Sequence, residues 1–337
     1  GKEHEEKYGV RFIYLVAPNF IKQNLYLHFA LTPFFVTWSV LKLLMNEKYD
    51  VIHEFSSTPL VLIRSLLVKL LFDIPSIFSL SVFNNTFLGK FFWFKLIDSS
   101  QAYCIPSEEL IKSLCSLGIN RNKLKLVPPG INLKKFSASI SKKSSRQKLK
   151  IPESKFLVSY FGSLTQEKGV GDLIDSTKMI PVLLRNKVLI VIWAIWKGSN
   201  QHNKYVDLIK SLKFPHLRLE EKYVDIKTAL SASDLVVLPQ QTGHGATIPQ
   251  LTLIEALAAK NHVIATNILG NRDLFRNEDD LIQPENPTAI SNKIIEKLNS
   301  NTKIQKLKID LQDYELEKVS NLYLNLYENL SKNPNLS

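Results

Sequence analysis

Short runs of apolar residues alternate along the chain with longer amphipathic stretches, and Asn, Ser, Pro or Gly residues close most of the runs. This alternation predicts parallel β-strands joined by crossover helices, which is the α/β class. The predicted strands are residues 11–16, 51–53, 76–80, 102–105, 124–127, 156–161, 187–193, 217–220, 234–238 and 262–265. Helical spacing of apolar residues predicts helices at 168–179, 203–213, 225–233, 251–259 and 287–299.

The predicted strands form two groups, separated by the polar stretch 142–152. A chain of 337 residues is long enough for two domains. We therefore expect two Rossmann-like domains, residues 1–145 and 146–315. A docking helix is predicted after them, because apolar side chains recur at helical spacing in the last part of the chain (Val319, Leu322, Tyr323, Leu326, Tyr327 and Leu330). Such folds bind ligands at the carboxyl ends of their strands, so the expected site is a cleft between the domains.

Three apolar stretches are candidates for contact with a membrane. Residues 23–41 carry no charge over nearly the length of a membrane span, but they include Gln, Asn, His and Pro. We interpret them as a buried element broken near Pro33, followed by a helix that runs into Leu44. Residues 59–80 contain charged side chains, which are costly at the centre of a bilayer. The aromatic stretch 83–97 has two interleaved lysines and fits either a lipid surface or core packing.

The composition is that of a globular protein, with 45% hydrophobic and 22% charged residues. The net charge is +12, and eleven Lys or Arg residues with no Asp or Glu lie between Leu110 and Pro152. This basic stretch is either a solvated surface or a surface that attracts phosphate groups, such as those of anionic lipid. No zinc pattern or DNA-reading helix is recognisable, so nucleic acid is not an expected partner. Cys104 and Cys115 lie in apolar segments and the first ten residues lack an apolar run, which favours reduced thiols and a cytoplasmic location.

Two loops after predicted strands carry groups suited to binding a diphosphate. In the first, Gly162 and Ser163 close a strand, and Lys168 stands before the next helix. Backbone N–H groups at the turn and the lysine ammonium would offset phosphate charge. The alternative is an ordinary loop with a surface lysine.

In the second loop, Pro249 precedes a helix whose first N–H groups and dipole favour phosphate oxygens. Glu255 lies inside that helix between apolar neighbours, and a buried carboxylate needs a partner such as a ribose diol. For Glu255 a structural cap or ion pair is the alternative.

Six segments follow one another along the chain: YDVIH (49–53), VPPGINLKKF (127–136), YFGSLTQEKGV (160–170), SASDLVVLP (231–239), LIEALAAKNHVIAT (253–266) and LGNRDLF (269–275). Taken in order, they resemble segments of the family-four glycosyltransferases, which have the GT-B fold. The resemblance covers nearly the whole chain. It implies two Rossmann-like domains with a cleft between them and a C-terminal helix, residues 316–337, that crosses back to the first domain.

The resemblance also implies a retaining, metal-independent transferase that moves a sugar from a nucleoside diphosphate sugar to a glycan or lipid-linked acceptor. Lys168 and Glu255 are the implied catalytic residues, on the diphosphate and on the ribose hydroxyls respectively. The other implied donor-binding residues are Gly162, Ser163, Tyr223, Val224, Thr247, Ile248, Pro249, Gln250 and Leu251, and Ser81 is implied on the acceptor side. We interpret Asp279 and Asp280 as solvent-facing rather than as a metal pair. The expected location is cytoplasmic, with peripheral contact to the inner membrane face.

The chain departs from the family pattern at several positions. The family's Arg before the lysine is Ser163, the first Glu of its paired-glutamate motif is Thr247, and the His after the third strand of its first domain is Ser81. The family's opening strand and Gly-rich loop are expected to be missing, because the first residues resemble its second or third strand. Each change is expected to weaken a contact with donor or acceptor. The sequence therefore leaves open a second interpretation, a catalytically degenerate GT-B protein that binds nucleotide or glycan as a partner subunit.

Overall fold

Two parallel β-sheets, one of four strands and one of six, form the framework of the described part of the chain. The computed structural model describes residues 4–7, 10–13, 25–55, 59–80, 102–137, 140–194, 200–242, 249–275, 281–300 and 307–332. The predicted α/β class is confirmed.

The beginning of the chain differs from the prediction. Strands β1 (His4–Lys7) and β2 (Val10–Ile13) form a separate antiparallel pair. The prediction of a parallel strand at 11–16 is therefore wrong. Only two residues separate β1 from β2, and a connection this short joins antiparallel strands, whereas parallel strands need a long crossover.

Helix α1 (Leu25–Asn46) runs through Pro33 without a break, so the predicted interruption there is also wrong. A proline inside a helix removes one N–H donor and crowds the carbonyl group four residues earlier, but here the helix continues on both sides of it over 22 residues. No helix among the described residues is both long and apolar enough to cross a membrane. The aromatic stretch 83–97 lies outside the described residues.

The first parallel sheet has the strand order β3-β4-β5-β6. Its strands and helices are β3 (Ile52–Phe55), α2 (Pro59–Phe72), β4 (Ser76–Ser79), β5 (Ala102–Ile105), α3 (Glu108–Ser116) and β6 (Leu124–Leu126). Phe78 and Tyr103 from the sheet and Leu110 from α3 are fully buried together on one face. The four strands predicted between residues 51 and 127 are confirmed to within two residues at each end.

The second parallel sheet has the order β12-β11-β10-β7-β8-β9. Its strands are β7 (Phe156–Phe161), β8 (Val188–Trp193), β9 (Leu217–Glu220), β10 (Leu235–Leu238), β11 (His262–Thr266) and β12 (Leu281–Ile282). The helices that connect them are α6 (Val170–Lys178), α7 (Val182–Arg185), α8 (Asn200–Leu212), α9 (Ile226–Ala232), α10 (Leu251–Ala258) and α11 (Pro287–Asn299). All six residues of β8 are buried, as expected for a strand covered by helices on both faces.

Helices α4 (Leu133–Ser137) and α5 (Lys142–Lys148) connect the two sheets. Arg146 is 5% exposed and pairs at 2.5 Å with Asp234, which also pairs with Lys142. Two residues of the basic stretch thus have a structural role. Because α5 crosses the expected domain boundary at 145/146, that boundary stays a prediction.

The closing helix α12 (Leu316–Lys332) packs on the first sheet, where Val319 and Leu330 are buried. His53 Nδ1 lies 2.5 Å from the Tyr327 hydroxyl of α12. His53 Nε2 lies 2.8 Å from Ser79 Oγ, and burial lowers the pKa of His53 to about 4. A neutral imidazole therefore ties α12 to β3 and β4, and the predicted crossover helix is confirmed.

Candidate functional site

The two loops that the sequence singled out follow strands β7 and β10 of the second sheet. These strands are hydrogen-bonded neighbours and parallel, so both loops leave the same edge of the sheet. The first loop contains residues 162–169, and the second begins at Pro239 and leads to α10. The structure thus brings Lys168 close to the segment that precedes Glu255.

Close backbone packing fixes the loop after β7. The Tyr160 hydroxyl donates to the carbonyl oxygen of Ser163 at 2.8 Å, and a Cβ atom at Gly162 would lie 2.9 Å from that hydroxyl oxygen. Gly169 has a left-handed backbone with φ of +68°, and a Cβ atom there would lie 1.7 Å from the carbonyl oxygen of Pro239. Only glycine fits this approach of the two loops.

Lys168 ends a short 3-10 turn (Gln166–Lys168) and is partly buried beside the second loop. Its Nζ atom donates to Gln240 Oε1 at 3.3 Å. Among the described residues no carboxylate forms an ion pair with it. Burial lowers the pKa of Lys168, and the nearby Glu167 partly opposes this shift. The site therefore contains a partly desolvated cation held by a neutral acceptor.

Helix α10 begins at Leu251, which is 38% exposed, while Pro249 before it is buried. Gln250 is the N-cap residue, but no side-chain hydrogen bond caps the helix. Its amide instead donates from Nε2 to Gln240 Oε1 at 2.5 Å. Among the described residues no side chain caps the first N–H groups of α10. The partial positive charge of these groups therefore lies next to the loop that contacts Lys168.

Glu255 lies one turn into α10 and is half-buried. Burial raises the pKa of its carboxyl group, and Lys135 of α4 partly opposes the shift. No hydrogen bond or ion pair to this carboxylate occurs within the described ranges. Burial opposes ionisation of Asp225, but hydrogen bonds from Thr228 lower its pKa, and Lys135 adds a smaller contribution in the same direction. The positive charge of Lys135, a residue of the basic stretch, therefore reaches both Glu255 and Asp225.

The expected base-binding turn follows β9. Tyr223 is 86% exposed, and Val224 is half-buried against the core of the second sheet. Asp225 then caps α9 through the backbone N–H of Thr228 at 3.1 Å. The cap of α9 thus anchors the end of the turn, while the Tyr223 ring is open to solvent.

Several residues named from the sequence lie outside the described part of the chain, namely Ser81, Thr247, Ile248, Asp279 and Asp280. Their predicted roles stay predictions. Within the described residues, no group of three or more His, Cys, Asp or Glu side chains is arranged to hold a metal ion.

Sequence reasoning missed Gln240, whose side chain contacts both Lys168 and Gln250. The signal for Gln240 in the sequence was its position, directly after a buried strand and the proline that closes it. That pattern alone does not identify which side chains the glutamine contacts.

The segment 269–275 bridges to the first sheet. The Glu109 carboxylate at the start of α3 accepts from the Gly270 N–H at 2.8 Å and pairs with Arg272 at 2.7 Å. A cavity of about 360 Å³ lies beside this contact and is lined by residues of both halves, among them Lys112, Asp273 and Tyr314. A cleft between the two halves is therefore present.

Two parallel α/β units with a cleft between them and a closing helix on the first unit define a protein of the GT-B class. The structure resembles a glycosyltransferase from Rickettsia africae, with a TM-score of 0.73 and 18% identity over 95% of this chain and 85% of that one. It also resembles Anabaena Alr3699/HepE in complex with UDP, with a TM-score of 0.70 and 17% identity over 88% of this chain and 82% of that one.

The chain belongs to the family glycosyl transferases group 1, which matches residues 141–312. Residues 1–135 match Glycosyltransferase Family 4. A curated relative is the UDP-Gal:alpha-D-GlcNAc-diphosphoundecaprenol alpha-1,3-galactosyltransferase of Escherichia coli, which is 26% identical over 266 residues. That alignment spans 72% of this chain and 64% of the relative. The family resemblance predicted from the sequence is confirmed.

Proposed function

We propose that the protein transfers a sugar from a nucleoside diphosphate sugar to a lipid-linked or glycan acceptor. Family membership supports the reaction class. The proposal is carried by one observation: the Gln240 side chain contacts both Lys168 and Gln250, and so places the Lys168 ammonium beside the uncapped start of α10. The name of the Escherichia coli relative, with its UDP-sugar donor and diphosphoundecaprenol acceptor, supports the two substrate classes.

In this proposal the bond between the anomeric carbon and the diphosphate oxygen breaks, and the acceptor hydroxyl oxygen bonds to that carbon. The leaving diphosphate gains negative charge and takes the proton of the acceptor hydroxyl. Lys168 and the first N–H groups of α10 stabilise this charge as fixed donors. We therefore propose that the reaction needs no metal ion, and retention of configuration is part of the proposal.

Glu255 is proposed to hold the ribose. A carboxylate accepts hydrogen bonds from both hydroxyls of a diol, which would give this half-buried group the partners that it needs. Tyr223 and Val224 are proposed to contact the base, with Pro249, Gln250 and Leu251 beside the diphosphate. The first sheet and the cleft next to Glu109 would receive the acceptor.

Calorimetric titration with UDP-, GDP- and ADP-sugars tests the donor assignment. We expect one nucleotide to bind, and Lys168→Ala and Glu255→Ala to weaken its binding. If neither substitution weakened the best ligand, the site assignment would be wrong. Donor binding without transfer or hydrolysis would instead favour a degenerate, binding-only protein.

Glu255→Gln is expected to weaken the nucleoside and the nucleoside diphosphate equally, by about tenfold each, because both contain the ribose. Wild-type affinity for uridine should fall as pH decreases through the pKa of Glu255, since only the ionised carboxylate accepts from both hydroxyls. Burial raises that pKa, so the fall should begin at a higher pH than for an ordinary glutamate. The variant should lack this pH dependence, and calorimetry between pH 4 and 8 measures it. A glutamine variant that retains full uridine affinity would contradict the ribose assignment.

We also propose peripheral contact with an anionic membrane surface through the basic stretch, in which Lys112 and Lys125 are exposed. Each lysine near such a surface contributes about 1 kcal/mol. Flotation with phosphatidylglycerol vesicles should recover less of a Lys112→Ser/Lys125→Ser variant than of the wild type. Replacement of Lys178, an exposed lysine of the second domain, is the control. Equal wild-type recovery with phosphatidylcholine and phosphatidylglycerol vesicles would count against membrane contact.

A further inference from the structure

One buried side chain joins the two groups to which the proposed function assigns the diphosphate. Gln240 is 2% exposed. Its Oε1 atom accepts hydrogen bonds from Lys168 Nζ at 3.3 Å and from Gln250 Nε2 at 2.5 Å. Lys168 belongs to the loop after β7, and Gln250 directly precedes α10. One oxygen atom therefore holds the Lys168 ammonium and the Gln250 amide close to each other.

The amide of Gln240 is itself held in one orientation. Its Nε2 atom donates to the backbone oxygen of Thr242. Its backbone oxygen accepts from Thr266 Oγ1 at 2.5 Å, at the end of β11. Because the nitrogen is committed to Thr242, the side-chain oxygen is directed at Lys168 and Gln250.

A neutral acceptor suits a lysine that has to bind an anion. An ammonium group has three donors, and Gln240 is the one acceptor that Lys168 contacts among the described residues, which leaves two donors for phosphate oxygens. A carboxylate at the same place would neutralise the ammonium and repel the diphosphate. The amide orients Lys168 without cancelling its charge.

We infer that Gln240 is a positioning residue for donor binding, which aims the Lys168 ammonium and the start of α10 at the same diphosphate. The inference rests on the proposed function, because it requires a diphosphate at this edge of the sheet. Gln240 would thus contribute to donor binding without touching the ligand, because it acts through Lys168 and Gln250.

Two substitutions of similar size test this role by calorimetry with UDP and with uridine as probes. Gln240→Met removes the acceptor and should weaken UDP binding about tenfold, the effect of losing one hydrogen bond to a charged group. Gln240→Glu keeps an acceptor but adds a negative charge, and it should weaken UDP binding further. Uridine affinity should stay at the wild-type value in both variants, which a general loss of structure would not allow.

Gln241→Met is the matched control, because the neighbouring amide donates to Asp172 at 2.9 Å and not to Lys168. It should leave UDP binding unchanged. In a Lys168→Ala background, Gln240→Met should weaken UDP binding less than it does in the wild type, because only its contact with Gln250 is left to lose. If Gln240→Met proves unstable, the Gln240→Glu comparison decides the question.

The possible outcomes separate this inference from the proposed function. If the wild type binds UDP through Lys168 but the Gln240 variants bind it equally well, the positioning role is overturned and the donor site stands. Full additivity of Gln240→Met and Lys168→Ala would also overturn the role. A wild type that binds no nucleoside diphosphate would overturn both.

Discussion

Replacement of Lys168 by alanine is expected to weaken nucleoside diphosphate binding about 100-fold and to leave nucleoside binding unchanged. The ammonium is partly buried and forms no ion pair among the described residues, so its charge is available to a ligand. Calorimetry with UDP and uridine measures the difference directly. Because burial lowers the pKa of Lys168, UDP affinity should also fall with rising pH earlier than it would with an ordinary lysine.

Lys178→Ala is the matched control for this prediction. Lys178 lies in the same half of the chain, but it is exposed and pairs with Asp175 at 2.6 Å. Its removal should change UDP affinity by less than about twofold. Equal losses in the two variants would indicate a general effect of positive charge and would contradict a specific role for Lys168.

Gly169→Ala is expected to destabilise the protein by about 3 kcal/mol or more in the free energy of unfolding. The residue has a φ of +68°, and its new Cβ atom would lie 1.7 Å from the Pro239 carbonyl oxygen. Relief of that contact requires the loops after β7 and β10 to separate, which would also move Lys168 away from Gln240. Urea unfolding followed by circular dichroism measures the stability, and UDP titration of the folded fraction measures the site.

Gly171→Ala is the control for the glycine prediction. A Cβ atom at Gly171 would meet the Tyr205 hydroxyl at 3.2 Å, at the movable end of a side chain. Gly171 lies in helix α6, where alanine is favoured over glycine by roughly 0.5–1 kcal/mol. This variant should be as stable as the wild type or slightly more stable. Similar stability of the two variants would mean that the loops are not held as closely as the structure indicates.

The second half of the chain could be predicted closely from its sequence. Most of its strands are short apolar runs buried on both faces, so composition and turn residues fix their ends, as in β8 and β10. The family resemblance likewise depended on the order of local segments. The first half was less predictable, because the hairpin of β1 and β2 and the unbroken helix at Pro33 depend on pairing and packing.

Contacts between distant positions could not be predicted. Gln240 and Lys168 are 72 positions apart, and Arg146 and Asp234 are 88 apart. Neither pair has a local pattern, because the first forms when the neighbouring strands β7 and β10 bring their loops together and the second when α5 packs beside α9. Lys168 and Glu255 could be predicted as site residues because they lie in recognisable sequence segments. The role of Gln240 could not, because it depends on the side chains that Gln240 contacts in the fold.

Diffraction from crystals grown with the nucleoside diphosphate that binds most tightly would locate the donor in the protein. We expect diphosphate oxygens within hydrogen-bond distance of Lys168 Nζ and of the first N–H groups of α10, with the ribose at Glu255. A nucleotide bound elsewhere, or a diphosphate that contacts neither Lys168 nor α10, would contradict the donor assignment.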